Sequence, residues 1–151
     1  MPAERKDPLP AFLFKVFLLP SQAGGSRLVA GFSECSGLES TLTLEEYAEG
    51  GVNDRVHRFP SRFQFPNLVL RRGMTLDPLL RDWHNDLLLG KVKRMDGLVV
   101  LCNEAGESIL AWKFERGLPV KYSGPALNAG TSAAAIETLE IAYERLQPFG
   151  I

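Results

Sequence analysis

The chain predicts a mainly β fold with a single helix set into it, and three observations carry that expectation. Short apolar or alternating runs recur along 151 residues, each bounded by glycine, proline or asparagine turn chemistry. Only one stretch, about residues 77–89, combines helical spacing with a start and a stop signal. The length is that of one domain, and no internal repeat or composition break divides it.

Residues 1–10, MPAERKDPLP, read as a flexible arm held extended by Pro8 and Pro10. Phe12 to Leu19 is aromatic and apolar, which makes a mostly buried strand. Pro20 stops it, and Gly24-Gly25-Ser26 turns the chain into a second strand, Arg27 to Ser33. From Leu38 to Tyr47, Leu38, Ser40, Leu42 and Leu44 alternate with Glu39, Thr41, Thr43 and Glu45, so a strand with one wet face is expected. Glu49 to Ser61 is polar, with turn chemistry at Gly50-Gly51 and Asn53-Asp54, and reads as a projecting hairpin or loop. Phe63 to Leu70 is expected as strand, Pro66 demoting its first half to an edge or bulge.

The helix is expected to start with Asp77 as N-cap and Pro78 in the first helical position. Leu79, Leu80, Trp83 and Leu87 then recur at helical spacing, and Gly90 closes the end. Beyond it, NEAGE at 103–107 joins two strands, Gly97–Cys102 and Ser108–Glu115, with Leu110, Trp112 and Phe114 on one face of the second. Pro119 to Gly130 is rich in Pro, Gly and Asn and reads as an irregular connection. Ala133 to Leu146 fits two patterns: a helical stripe of Ile136, Leu139, Tyr143 and Leu146, and an alternation of Leu139, Ile141 and Tyr143 with acidic or small residues. Propensity alone leans towards helix.

Composition narrows the function classes. Seventeen Lys and Arg stand against 18 Asp and Glu, a net charge of −1, so no global electrostatic pull towards nucleic acid or anionic lipid exists. Near-neutrality also lowers the repulsion between identical copies. Hydrophobic residues make up 45%, enough for a true core. The Ala11–Leu19 run is too short and too charged, at Lys15, to span a membrane, so no membrane anchor and a cytoplasmic site of synthesis and assembly are expected. Cys35 and Cys102 sit in apolar strand contexts without metal or redox spacing, and are expected as free thiols.

No enzyme signature, cofactor motif or metal set stands out. His57 and His84 lack companions at ligand spacing, and no serine sits in a nucleophile elbow. The Gly24-Gly25 and Gly50-Gly51 pairs lack the downstream lysine of a phosphate loop. One constellation remains: Arg55, His57, Arg58, Arg62, Arg71 and Arg72, interleaved with Phe59, Phe63 and Phe65. Such a set can bind single-stranded nucleic acid by stacking and phosphate contact. Alternatively the arginines pair with carboxylates such as Glu45, Glu46, Glu49 and Asp54, in the same chain or on a neighbouring copy, and this is the favoured expectation.

Taken in order, the segments resemble the tail tube protein family of contractile phage tails and contractile injection systems. The resemblance lies in FSECSGLE (32–39), EEYAEGGVNDRVHRFP (45–60), PNLVLRRGMT (66–75) and LRDWHND (80–86). It continues through GKVKRMDGLVVLCNEAGE (90–107), WKFERGLPVKYSGPALNAG (112–130) and AIETLEIAYERL (135–146). It implies a rolled antiparallel β-sandwich or barrel with one packed helix, hexameric rings stacked into a hollow tube, and a surrounding contractile sheath. Baseplate and spike proteins would be partners, and protein or DNA would be cargo in the lumen. It also implies that Ala134–Arg145 is strand, completing a sheet between subunits. On these grounds the expected subunit-interface residues are Glu45, Glu46, Glu49, Asn53, Asp54, Arg55, His57, Arg58, Arg71 and Arg72. The family usually carries His-Glu-Gly near its end, where this chain has Tyr143-Glu144-Arg145. Both a main tube subunit and a first-ring adaptor of the same fold therefore stay open.

Overall fold

The protein is described from a computed structural model, which covers residues 13–20, 27–48, 56–73, 78–130 and 135–150. The expected turns at Gly24-Gly25 and Gly50-Gly51, the N-terminal arm and the Asp77 cap fall outside these residues.

Strands β1 (Leu13–Pro20) and β2 (Arg27–Phe32) form as expected and pair antiparallel. A short β3 (Glu34–Ser36) follows after Ser33 alone. Next come β4 (Thr41–Ala48), β5 (Val56–Gln64) and β6 (Leu68–Gly73). The single strand expected over Phe63–Leu70 is thus two, broken at 65–67. Pro66, which can donate no ladder hydrogen bond, lies in the break. Helix α1 spans Leu79–Leu88, with Pro78 at the N-cap position and no side-chain cap. Its C-terminus closes on Gly90, whose φ of +85° suits a residue without Cβ. Leu80 and Trp83 are its buried face, and the Trp83 indole N–H donates to the Lys93 carbonyl at 2.8 Å.

The second half is almost all strand. β7 (Met95–Cys102) and β8 (Ser108–Ser123) form the hairpin that NEAGE predicts. β8 continues through Pro119 to Ser123, so the expected irregular connection is shorter, beginning only after residue 123. Its faces also differ from expectation: Phe114 is buried, Leu110 is exposed, and Ala111, on the other face, is buried. Buried side chains occur on both faces of this part of the sheet. Val99 belongs to one buried cluster with Val16, Leu18, Phe114, Leu139 and Ile141, while its neighbour Val100 joins Cys102 and Ala111 in another.

The ambiguous C-terminal stretch is β9 (Ile136–Ala142), then a break, then β10 (Arg145–Phe149). The helical pattern loses to the alternation, because Glu137, Leu139 and Ile141 are buried in turn. β9 lies between β8 and β6 within one chain. The strand expectation holds, and its partners are intramolecular.

The main sheet runs β2-β1-β7-β8-β9-β6-β3, with β10 also paired to β8. β2 and β3 are one chain segment bent at Ser33, yet they border opposite ends of this sheet. The Ser33 N–H donates to the Arg71 carbonyl at 3.0 Å, so the sheet rolls back on itself as a barrel. Leu80 and Trp83 of α1 join its core. Cys35 and Cys102 are both free thiols.

Candidate assembly surface

β4 and β5 stand apart, forming a two-stranded ribbon that pairs with no other strand among the described residues. A bare ribbon of this kind is marginal in water unless something packs on it. Every β5 residue is exposed. Leu42, Leu44, Tyr47, Val56, Phe59 and Phe63 are exposed at 39–60%. Cross-strand register sorts the ribbon into two faces. One carries Leu42, Leu44, Pro60, Phe63 and Val56, with Glu46 opposite Arg58 set among them. The other carries Thr43, Glu45, Tyr47, His57 and Phe59. Leucines 42 and 44, expected on a buried face, are therefore on an open one: the alternation was legible, but no element among the described residues covers it.

At its root the ribbon is tied to the core by aromatic contacts. Phe63 stacks on Phe65 at 6.4 Å, Phe65 meets Tyr143 at 5.7 Å, and Tyr143 meets core Phe114 at 6.1 Å. Beside this ladder lies a groove of about 500 Å³, lined by Ser40, Phe63, Phe65 and residues 144–147. The Glu144 carboxylate on its border holds Arg116 at 3.0 Å and Arg94 at 3.8 Å.

The expected interface residues divide into four groups. Glu45, Glu46, His57 and Arg58 lie exposed on the ribbon; Arg58 pairs with Glu46 at 3.5 Å, and Glu45 accepts from Ser61 at 3.4 Å. Arg71 is exposed on β6 and pairs with Glu34 at 3.7 Å. Arg72 points the other way and is only 2% exposed. Its guanidinium pairs with the equally buried Glu137, lies 5.5 Å from the Phe32 ring centroid, and shares that carboxylate with the Tyr122 hydroxyl, which donates at 2.7 Å. The period-2 alternation of β6 places Leu68, Leu70 and Arg72 on the inner face, a signal present in the sequence but masked by charge. Glu49, Asn53, Asp54 and Arg55 lie outside the described residues.

Of the basic constellation, Arg58, Arg71 and Arg72 thus meet carboxylates of the same chain. Among the described residues no group of three His, Cys, Asp or Glu is placed to hold a metal ion, and no helix is long and apolar enough to cross a membrane.

A rolled barrel with an uncovered apolar ribbon has the form of a structural subunit built to pack against other chains. The sequence comparisons place it further: residues 10–147 match the family model of the T4-like virus tail tube protein gp19, and the chain belongs to that family. It is a structural tube protein. A chain in the cryo-EM structure of the anti-feeding prophage baseplate superposes with TM-score 0.83 at 28% identity, covering 97% of this chain and 98% of that one. A chain in the sheath–tube complex of the PVC extracellular contractile injection system gives 0.80 at 24% identity, over 97% and 94%. Hcp1 from Flavobacterium johnsoniae gives 0.53 at 16%, over 91% and 94%, and these last two share the fold. No curated protein matches the sequence.

Proposed function

We propose that the chain is the inner tube subunit of a contractile phage tail or tail-like injection particle, with no catalytic role. Six copies close into a ring, and rings stack into a hollow tube that carries protein or DNA cargo. A contractile sheath surrounds the tube, and baseplate and spike proteins end it. Synthesis and assembly take place in the cytoplasm. The observation that carries this is the β4–β5 ribbon, which exposes an apolar face that a lone monomer would have to cover. Family membership and the superposed injection-system chains support it. Head-to-tail contacts close into a ring when the rotation between copies allows it, which prevents open fibres within a layer.

Glu45, Glu46, His57, Arg58 and Arg71 are assigned to contacts between copies, together with Glu49, Asn53, Asp54 and Arg55 in the connection between β4 and β5. Arg72 is left out, because its partners are internal. Similarity to a baseplate-structure chain supports, as a second reading, a first-ring adaptor of the same fold. Purified protein that grows long tubes favours the main subunit; single rings that never stack favour the adaptor.

Replacing Leu44 and Val56 by Asp tests the ribbon. Both side chains are exposed, so the monomer should unfold within about 0.5 kcal/mol of the native protein. Assembly should be lost. Unchanged rings or tubes from the doubly charged ribbon would remove its role.

A further inference from the structure

The tube reading leaves open what fills the groove at the ribbon's root. A ring built head to tail needs two unlike, complementary surfaces on each chain. The groove is the concave one, continuous with the ribbon's apolar face through Phe63. A convex counterpart lies at the C-terminus of α1, where Leu88, Leu89 and Val92 are 73%, 68% and 62% exposed in one corner of the chain.

Charge matches the two surfaces as well. The last turn of α1 contains no basic residue, so the partial negative charge of its carbonyl end has no cation of its own there. Arg145, at the groove, has no ion-pair partner among the described residues. The same is true of Lys91, just past the helix, and of exposed Glu39, which adjoins the groove residue Ser40.

We propose that the Leu88-Leu89 corner of one copy seats in the Phe63/Phe65/Leu146 groove of its neighbour. Arg145 of the groove then faces the carbonyl end of the incoming helix, and Lys91 of the corner faces Glu39. This rests on the self-assembly proposed above, and names its counter-surface. Aromatic and aliphatic side chains meeting in a pocket are the usual centre of such interfaces, with charged groups at the rim.

Paired cysteines test the contact directly. Leu89→Cys and Ser40→Cys are introduced together, and assembly is checked by mass before oxidation. Oxidation should then link neighbouring copies into a covalent ladder reaching the full ring. Leu127→Cys with Ser40→Cys, a pair using a still more exposed loop residue, should give none. Assembled particles without the first ladder, or with both ladders alike, would overturn the docking and leave the tube function standing. A native chain that never assembles would overturn both. If the cysteines themselves block assembly, Leu88→Gln with Leu89→Gln decides, since it removes the apolar corner without adding charge to the carbonyl end of α1. That variant should keep the monomer's unfolding midpoint and raise the concentration needed for assembly at least tenfold; an unchanged concentration contradicts the docking.

Discussion

At the residue scale, the buried Arg72–Glu137–Tyr122 cluster shows how a charged side chain read as surface becomes part of the core. An isolated buried charge is strongly unfavourable, so the arginine needs its carboxylate. Glu137→Ala should destabilise the fold by about 3–5 kcal/mol, the usual cost of leaving one member of a buried pair alone. Urea unfolding measures it, and a loss under about 1 kcal/mol would show that the pair is not closed off from water. Three protons in this region also make alkaline stability informative. Burial pushes the Cys35 thiol from 9.0 to about 11, and burial, then the Glu137 hydrogen bond and charge, pushes Tyr122 up to about 12. Burial, then Cys35 and Glu39, pushes Tyr143 up to about 12. The folded chain therefore holds protons that the unfolded chain releases. The contribution of these three groups to stability is level below about pH 9 and falls from there towards about pH 12. Melting temperature against pH checks this, and Tyr122→Phe should make the decline shallower.

At the element scale, the fold depends on how neighbouring strands make room for one another. A Cβ on Gly97 of β7 would lie 2.2 Å from the Phe114 ring, and one on Gly117 of β8 would lie 2.8 Å from it. The two glycines flank the central aromatic of the core. Gly97→Val should cost about 1–3 kcal/mol through overpacking, seen as a lower denaturant midpoint with the same slope. An unchanged midpoint would mean that Phe114 moves freely.

How far each element was legible depended on whether its signal was local. The helix, the NEAGE hairpin and the first strands carry theirs in adjacent residues, and they form nearly where expected. β9 was ambiguous because its alternation and a helical stripe share Leu139 and Tyr143; only pairing with β6 and β8 decides between them. The extension of β8 through Pro119 was hidden because proline reads as a breaker. Its register with β9 shifts just there, between Pro119 and Lys121. The site was half legible. Polar turn chemistry marked the ribbon, but the exposure of Leu44 and Phe63 follows from missing tertiary cover, which no local pattern records.

At the scale of the whole molecule, these features make one object: a rolled barrel, plugged by α1, with an apolar ribbon and an aromatic groove left open. Three of the arginines that could have gripped phosphate, Arg71, Arg58 and Arg72, instead meet Glu34, Glu46 and Glu137. The surface is therefore better suited to another copy of the chain than to a nucleic acid. Particle mass combined with negative-stain imaging of the purified chain tests this most directly. Six-membered rings, alone or stacked into hollow tubes, are the predicted result. A chain that stays monomeric at high concentration while binding DNA with steep salt dependence would contradict it.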